Sequence, residues 1–251
     1  MLLNRSRILT LSLLSICLFA LIACGSAPEP AGPVSSMPVG EPIKIEAPLG
    51  LPPVPTPADN PATADTIALG RRLYYDVRLS VDDSISCASC HRPDAGFGDP
   101  DQFSSGVGGQ KGGRQAPTVI NTAYFTTQFW DGRSPSLEDQ AAGPVQNPIE
   151  MANTLEAVEK QLAEDASYVA DFEKAFGSGD ITYERIGKAI ATFERTVLSG
   201  NSPFDRFMYG GEEDALSESA KRGLEVFRDP ATGTCEVCQS MEEDHALFTD
   251  D

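Results

Sequence analysis

Cys87-Ala88-Ser89-Cys90-His91 sets two thiols three residues apart, with an imidazole directly after the second. The spacing C-x-x-C-H suits covalent attachment of haem c. Each thiol can form a thioether with one porphyrin vinyl group, and His91 can then turn its imidazole under the iron as the proximal ligand. A covalent link retains the cofactor in a small domain that cannot bury it fully. Two other chemistries share part of this pattern. A thioredoxin-like redox site should open a helix after a strand, whereas here a helix precedes the motif and a glycine-rich loop follows it. Zinc needs further Cys or His ligands, and the chain has only two histidines, His91 and His245.

A second thiol pair, Cys235-Glu236-Val237-Cys238, is followed by Gln239 instead of histidine. Glutamine is a poor iron ligand, so this site reads as a defective haem-attachment sequence. His245 is the remaining candidate for its iron. Alternatively, Cys235 and Cys238 form a strained local disulfide or remain free.

The elements that must hold these groups are helical. Ile67–Tyr75 reads as a helix running into Cys87, and Arg92–Ala116 as a polar loop rich in glycine. Such a loop can approach a flat ligand closely, because glycine has no side chain to clash; a flexible insertion has the same composition. Further on, Ser136 precedes Leu137-Glu138-Asp139, an N-cap with acids in the first turn. Asn153 with Glu156 resembles a capping box opening Leu155–Leu162. Ile186, Ile190, Phe193 and Val197 recur at helical spacing, which puts one face of Thr182–Leu198 in the core. Ser217 caps a helix over Glu218–Phe227. No alternating strand pattern of useful length appears, and the expected fold class is mainly α.

Ahead of these elements lies a targeting segment over residues 1–23. Arg5 and Arg7 precede the apolar run Ile8–Ile22, which is too short for a comfortable membrane span. It ends in Leu21-Ile22-Ala23-Cys24, similar to a lipoprotein cleavage site in which Cys24 carries the lipid. An ordinary signal peptide and an uncleaved anchor are the alternatives, and each exports the chain. Gly25 after the cysteine suggests the outer membrane, on its periplasmic side. Residues 24–63 are dense in proline, with Pro52-Pro53-Val54-Pro55-Thr56-Pro57 at the centre, and read as an extended tether.

Among the 251 residues, 19 Lys and Arg stand against 37 Asp and Glu, a formal charge of −18. That balance argues against nucleic acid as a partner. It would attract a basic protein partner, although solubility alone also accounts for it.

The ordered motifs Arg114-Gln115-Ala116-Pro117-Thr118-Val119-Ile120-Asn121, Gln128-Phe129-Trp130-Asp131-Gly132-Arg133, Gln140-Ala141-Ala142-Gly143-Pro144 and Asn147-Pro148-Ile149-Glu150-Met151 resemble those of bacterial dihaem cytochrome c peroxidases and the related MauG group. The resemblance implies two cytochrome c-like domains. These would be a peroxidatic domain over 64–200 and a second over 201–251, which looks incomplete because relatives continue further. It implies a peroxidase that reduces hydrogen peroxide with electrons from a small redox protein, cytochrome c or a cupredoxin. It also implies Glu150 as the proton-moving group, Gln140 as the residue orienting peroxide, and Trp130 as an aid to electron transfer. Without the resemblance, Glu150 reads as a surface carboxylate and Trp130 as a core aromatic. Asp131 and Arg133 are expected in ion pairs.

A distal histidine found in many relatives matches a position near Val107, where this chain has none. The family's calcium asparagine matches Gln115, so calcium is not expected with any strength. The defect at Gln239 favours a non-catalytic, vestigial monohaem protein as the alternative. MauG-like oxidation of a protein substrate is a third reading.

Overall fold

Each longer helix begins where the sequence supplies a side-chain cap. In the computed structural model, which describes residues 34–249, α1 (Ala64–Tyr74) starts at Thr63, whose hydroxyl accepts the Thr66 amide. α2 (Cys87–Cys90) is a single turn. Ser136 caps α3 (Leu137–Gln140) by accepting the Asp139 amide, and α4 (Ala142–Gln146) follows directly. α5 (Leu155–Ala163), α6 (Ala166–Phe176) and α7 (Tyr183–Glu194) complete the core. α8 (Pro203–Met208) and α9 (Glu218–Arg228) come last, with Ser217 capping α9 as expected. Among the described residues there is no strand, only isolated bridges such as Arg92 with Gly98. The expected mainly α fold class is therefore correct.

One expected cap is displaced. Thr154, not Asn153, accepts the Ala157 amide at the start of α5. The Asn153 side chain is used elsewhere, donating to the Leu79 carbonyl and accepting the Thr154 amide. Both residues are good caps, and only the long-range bond to Leu79 separates them.

α7 is the central helix, and its burial exceeds the single apolar face read from its periodicity. Of its residues only Glu184 escapes burial. The polar face is buried because its charges are answered. Arg185 donates to the carbonyls of Ser35, Ser178 and Asp180. Lys188 donates to the Asp59 carbonyl and pairs with its carboxylate. Arg195, just beyond the helix, grips Glu138 with two bonds of 2.7 and 3.1 Å. α1 crosses α7 at Gly70, where a Cβ would lie 1.8 Å from the Ala189 carbonyl oxygen.

These bonds also involve the proline-rich segment, which the sequence reads as an extended tether. From Ser35 onward it is extended but fastened to the helical unit. The Val39 amide donates to the Ala175 carbonyl and the Ile43 amide to Ala62. Asn60 is buried and donates to Glu138 and the Lys188 carbonyl. Tyr124 donates its hydroxyl to the Pro52 carbonyl. Proline cannot donate to a ladder, but its carbonyl accepts freely, and the composition carried no sign of those partners. The targeting segment, including Arg5, Arg7, Cys17, Cys24 and Gly25, lies outside the described residues. No helix among the described residues is long and apolar enough to cross a membrane.

Close backbone contact at Gly70 predicts that Gly70→Ala destabilises the fold by about 1–3 kcal/mol, the usual cost of forcing extra volume into a packed site. Gly223→Ala in α9, with open space around it, should leave stability unchanged or slightly raised. Urea unfolding of both variants checks the pair.

Candidate haem site

The turn that carries the first thiol pair is locked from several sides. The Ser86 amide donates to the Ser89 hydroxyl, and the His91 amide to the Cys87 carbonyl. Tyr74, at the end of α1, donates its hydroxyl to the His91 carbonyl at 3.0 Å. His91 Nδ1 lies 2.9 Å from the Pro117 carbonyl oxygen. A carbonyl only accepts, so Nδ1 carries the proton and the Nε2 lone pair is left for a metal. Desolvation holds the imidazole below its ordinary pKa, in the neutral form a metal requires.

Cys87, Cys90 and His91 line a cavity of about 460 Å³. Gln140, Glu150, Trp130, Arg133 and Glu194 line it too. Of the five residues expected to bind haem, Cys87, Cys90 and His91 thus meet the three expected catalytic residues at one space, and Cys235 and Cys238 do not. The donor set suits haem c. Two unbridged thiols and a neutral imidazole sit on one turn, and Arg114 and Arg133 supply cations on the lining for acidic substituents. Burial pushes both thiols above their ordinary pKa values.

The glycine-rich loop approaches the protein's own backbone. The Val107 amide donates to the Glu150 carbonyl at 2.8 Å. A Cβ on Gly106 would lie 2.1 Å from the Ile149 carbonyl oxygen. The loop is therefore strapped over the turn that holds Glu150, rather than a loose insertion. Asn147 Nδ2 donates to Glu150 Oε1 at 2.6 Å. Burial raises the Glu150 pKa, opposed by the Asn147 bond and the Arg133 charge.

Trp130 is not a core aromatic. It is 65% exposed, and its indole N–H donates to the Gln115 carbonyl. Asp131 pairs with both Arg133 and Arg114, as expected, and those bonds hold its carboxyl down at about 2. Arg133 also stacks on Phe129 at 3.4 Å. The Gln115 side chain donates to the Asp99 carbonyl. No group of three or more His, Cys, Asp or Glu able to hold a metal ion occurs among the described residues.

The second thiol pair lies apart from this cavity lining. Cys235 and Cys238 are exposed on a single 3₁₀ turn, Cys235–Val237. Gln239 is exposed, and His245 pairs with its neighbour Asp244 at 2.7 Å.

Glu194 was missed at the level of sequence. It is 6% exposed, and its Oε2 has no hydrogen-bond partner. Its signal was present: it falls four residues after Ile190 and eight after Ile186, an acid placed in the buried stripe itself.

The pattern of the family described as di-haem cytochrome c peroxidase matches residues 64–213. The chain is 38% identical over 198 residues to the methylamine utilization protein MauG of Methylophilus methylotrophus, covering 79% of this chain and 58% of that protein. It is 39% identical over 229 residues to the cytochrome c551 peroxidase of Nitrosomonas europaea, covering 91% and 63%. Among solved structures, a MauG-like protein associated with microbial copper homeostasis superposes with a TM-score of 0.71 at 31% identity, covering 81% of this chain and 60% of that one. The chain thus spans about three-fifths of the length of these relatives.

Before haem is attached, the contrast between the two thiol pairs predicts an order of alkylation. Exposed Cys235 and Cys238 should react with iodoacetamide well before Cys87, whose thiolate is disfavoured by burial. Peptide mass mapping over a time course checks this; equal rates at the two pairs would contradict the placement of Cys87.

Proposed function

Because the chain belongs to the di-haem cytochrome c peroxidase family, we propose that it is a c-type haem peroxidase, reducing hydrogen peroxide to water with two electrons from a small redox protein. The observation that carries the reading is the convergence of Cys87, Cys90, His91, Gln140 and Glu150 on one cavity. Cys87 and Cys90 would hold the haem through thioethers, with His91 as its proximal ligand. When bound there, the haem supplies an iron centre that can exchange electrons with peroxide.

The remaining steps belong to side chains. Two electrons and two protons convert hydrogen peroxide into two waters. Glu150 takes the proton from one peroxide oxygen and delivers it to the other, so that the second oxygen departs as water. A carboxyl whose pKa is raised by burial can both accept and return that proton. Asn147 fixes one Glu150 oxygen, leaving the other for the proton transfer. The Gln140 amide, on the same lining, orients peroxide by hydrogen bonding. Gly106 lines the Glu150 side of the cavity, with Val107 bonded to the Glu150 carbonyl and no histidine there, which fits a site open to peroxide with no prior reductive step. Exposed Trp130 marks where electrons enter.

The donor is a cytochrome c or cupredoxin, and a basic one suits the chain's acidic surface. We place the protein on the periplasmic side of the envelope, held through lipid on Cys24. The second haem site is defective at Gln239, which slows electron delivery and gives the vestigial monohaem alternative its weight. MauG-like oxidation of a protein substrate would dispense with the small donor, so donor dependence separates it from the leading reading.

Glu150→Gln in the haem-loaded protein should slow peroxide-dependent oxidation of a reduced donor by about 10²–10⁴-fold, the usual contribution of general acid–base catalysis. Bound haem should be unchanged. Stopped-flow absorbance in the Soret region measures both, and unchanged kinetics in this variant would remove Glu150 from the mechanism.

A further inference from the structure

Glu194 is the one buried acid of the cavity lining for which the peroxidase chemistry has no use. It closes α7, is 6% exposed, and leaves Oε2 without a partner. A carboxylate in that position is costly to ionise, because it is buried and its Oε2 accepts no hydrogen bond. Its nearest cation in sequence, Arg195, is committed to Glu138 by two hydrogen bonds.

The titratable groups facing Glu194 from each neighbouring element can be named. Tyr74 faces it from α1, Cys87 from α2 and Glu138 from α3, with Arg195 adjoining it on its own chain segment. Burial holds Tyr74 well above its ordinary pKa. Despite its burial, Glu138 is held below its ordinary value by Arg195. Cys87, once a thioether, no longer titrates. Burial, reinforced by Glu138 and opposed by Arg195, pushes the Glu194 carboxyl up to about 8. Glu150 is the other cavity-lining carboxyl raised by burial.

We propose that Glu194 is a positioning residue that couples protons to electrons in the haem pocket: buried in the cavity wall beside Cys87, it binds one proton from solvent, wherever it is ionised in the oxidised pocket, when the haem iron accepts one electron from a donor redox protein, and releases that proton when the electron leaves. The inference rests on the haem reading above. Charge balance gives the reason. An added electron in a low-dielectric pocket makes a neighbouring carboxylate still less tolerable, and one proton cancels the change. Glu194 touches neither peroxide nor donor in this role; it sets how readily the pocket holds an electron.

The pH dependence follows in sign. Below about pH 8 Glu194 is protonated in both redox states, takes up nothing, and leaves the potential flat. Above that pH it is ionised in the oxidised pocket and protonated on reduction. The reduction equilibrium then falls tenfold per pH unit, which is about 59 mV for one electron.

Spectroelectrochemical titration of the haem-loaded protein, from about pH 6 to about pH 10, tests this. Wild type and Glu150→Gln should both show the slope setting in near pH 8. Glu194→Gln should be flat there, and Glu194→Asp, which restores a carboxyl group, should regain the slope at a shifted pH. A flat wild-type profile, a slope that persists in Glu194→Gln, or a slope abolished only by Glu150→Gln overturns the proposal and leaves the peroxidase reading intact. Protein that acquires no covalent haem overturns both.

Discussion

Folded chains normally fill their interiors to the density of organic crystals, so a cavity of about 460 Å³ in this chain is the constraint around which the rest is organised. Keeping it open requires walls that do not collapse inward. α7 provides that rigidity, because it is buried nearly all round and its polar face is bonded to three separate segments. Gly70 lets α1 approach the α7 backbone closely, which brings Tyr74 to the carbonyl of His91. The opposite wall is held by the Gly106 strap over Glu150. Cys87, Cys90 and His91 come from a stretch of sequence distant from Trp130, Gln140 and Glu150, and these contacts bring them to one space.

The hydrogen bond from His91 to Pro117 links the two halves of the site chemically. It selects the imidazole tautomer and anchors the Arg114–Asn121 stretch beside the motif. The neighbouring Gln115 carbonyl holds Trp130, which is exposed at the cavity lining. His91 and Trp130 are thus both held by carbonyls of one loop, those of Pro117 and Gln115.

Much of this was legible from sequence, for identifiable reasons. Ser136 and Ser217 act locally, so their helices start where the pattern places them. The C-x-x-C-H motif is local too, and its turn forms as its chemistry needs. Long-range partners were not legible. Asn153 yields its cap to Thr154 because of Leu79, far away in sequence. Ser35–Ala62 lies on the helices because Asp59 and Ser35 meet charged groups of α7 and Asn60 donates to its Lys188 carbonyl, which a proline count does not reveal. Trp130 was read as core by residue type, yet its N–H is satisfied at the surface. Glu194 could have been found, since an acid in phase with Ile186 and Ile190 breaks the stripe that otherwise defines the core.

One turn, Cys87 to His91, is proposed to hold haem over a cavity shaped for peroxide. The most direct measurement is the intact mass of the mature protein, expressed with haem-maturation machinery, beside a variant in which Cys87 and Cys90 are both serine. One covalently bound haem is expected in the first and none in the second. A native protein with no covalent haem, or a double variant that keeps one, would contradict it.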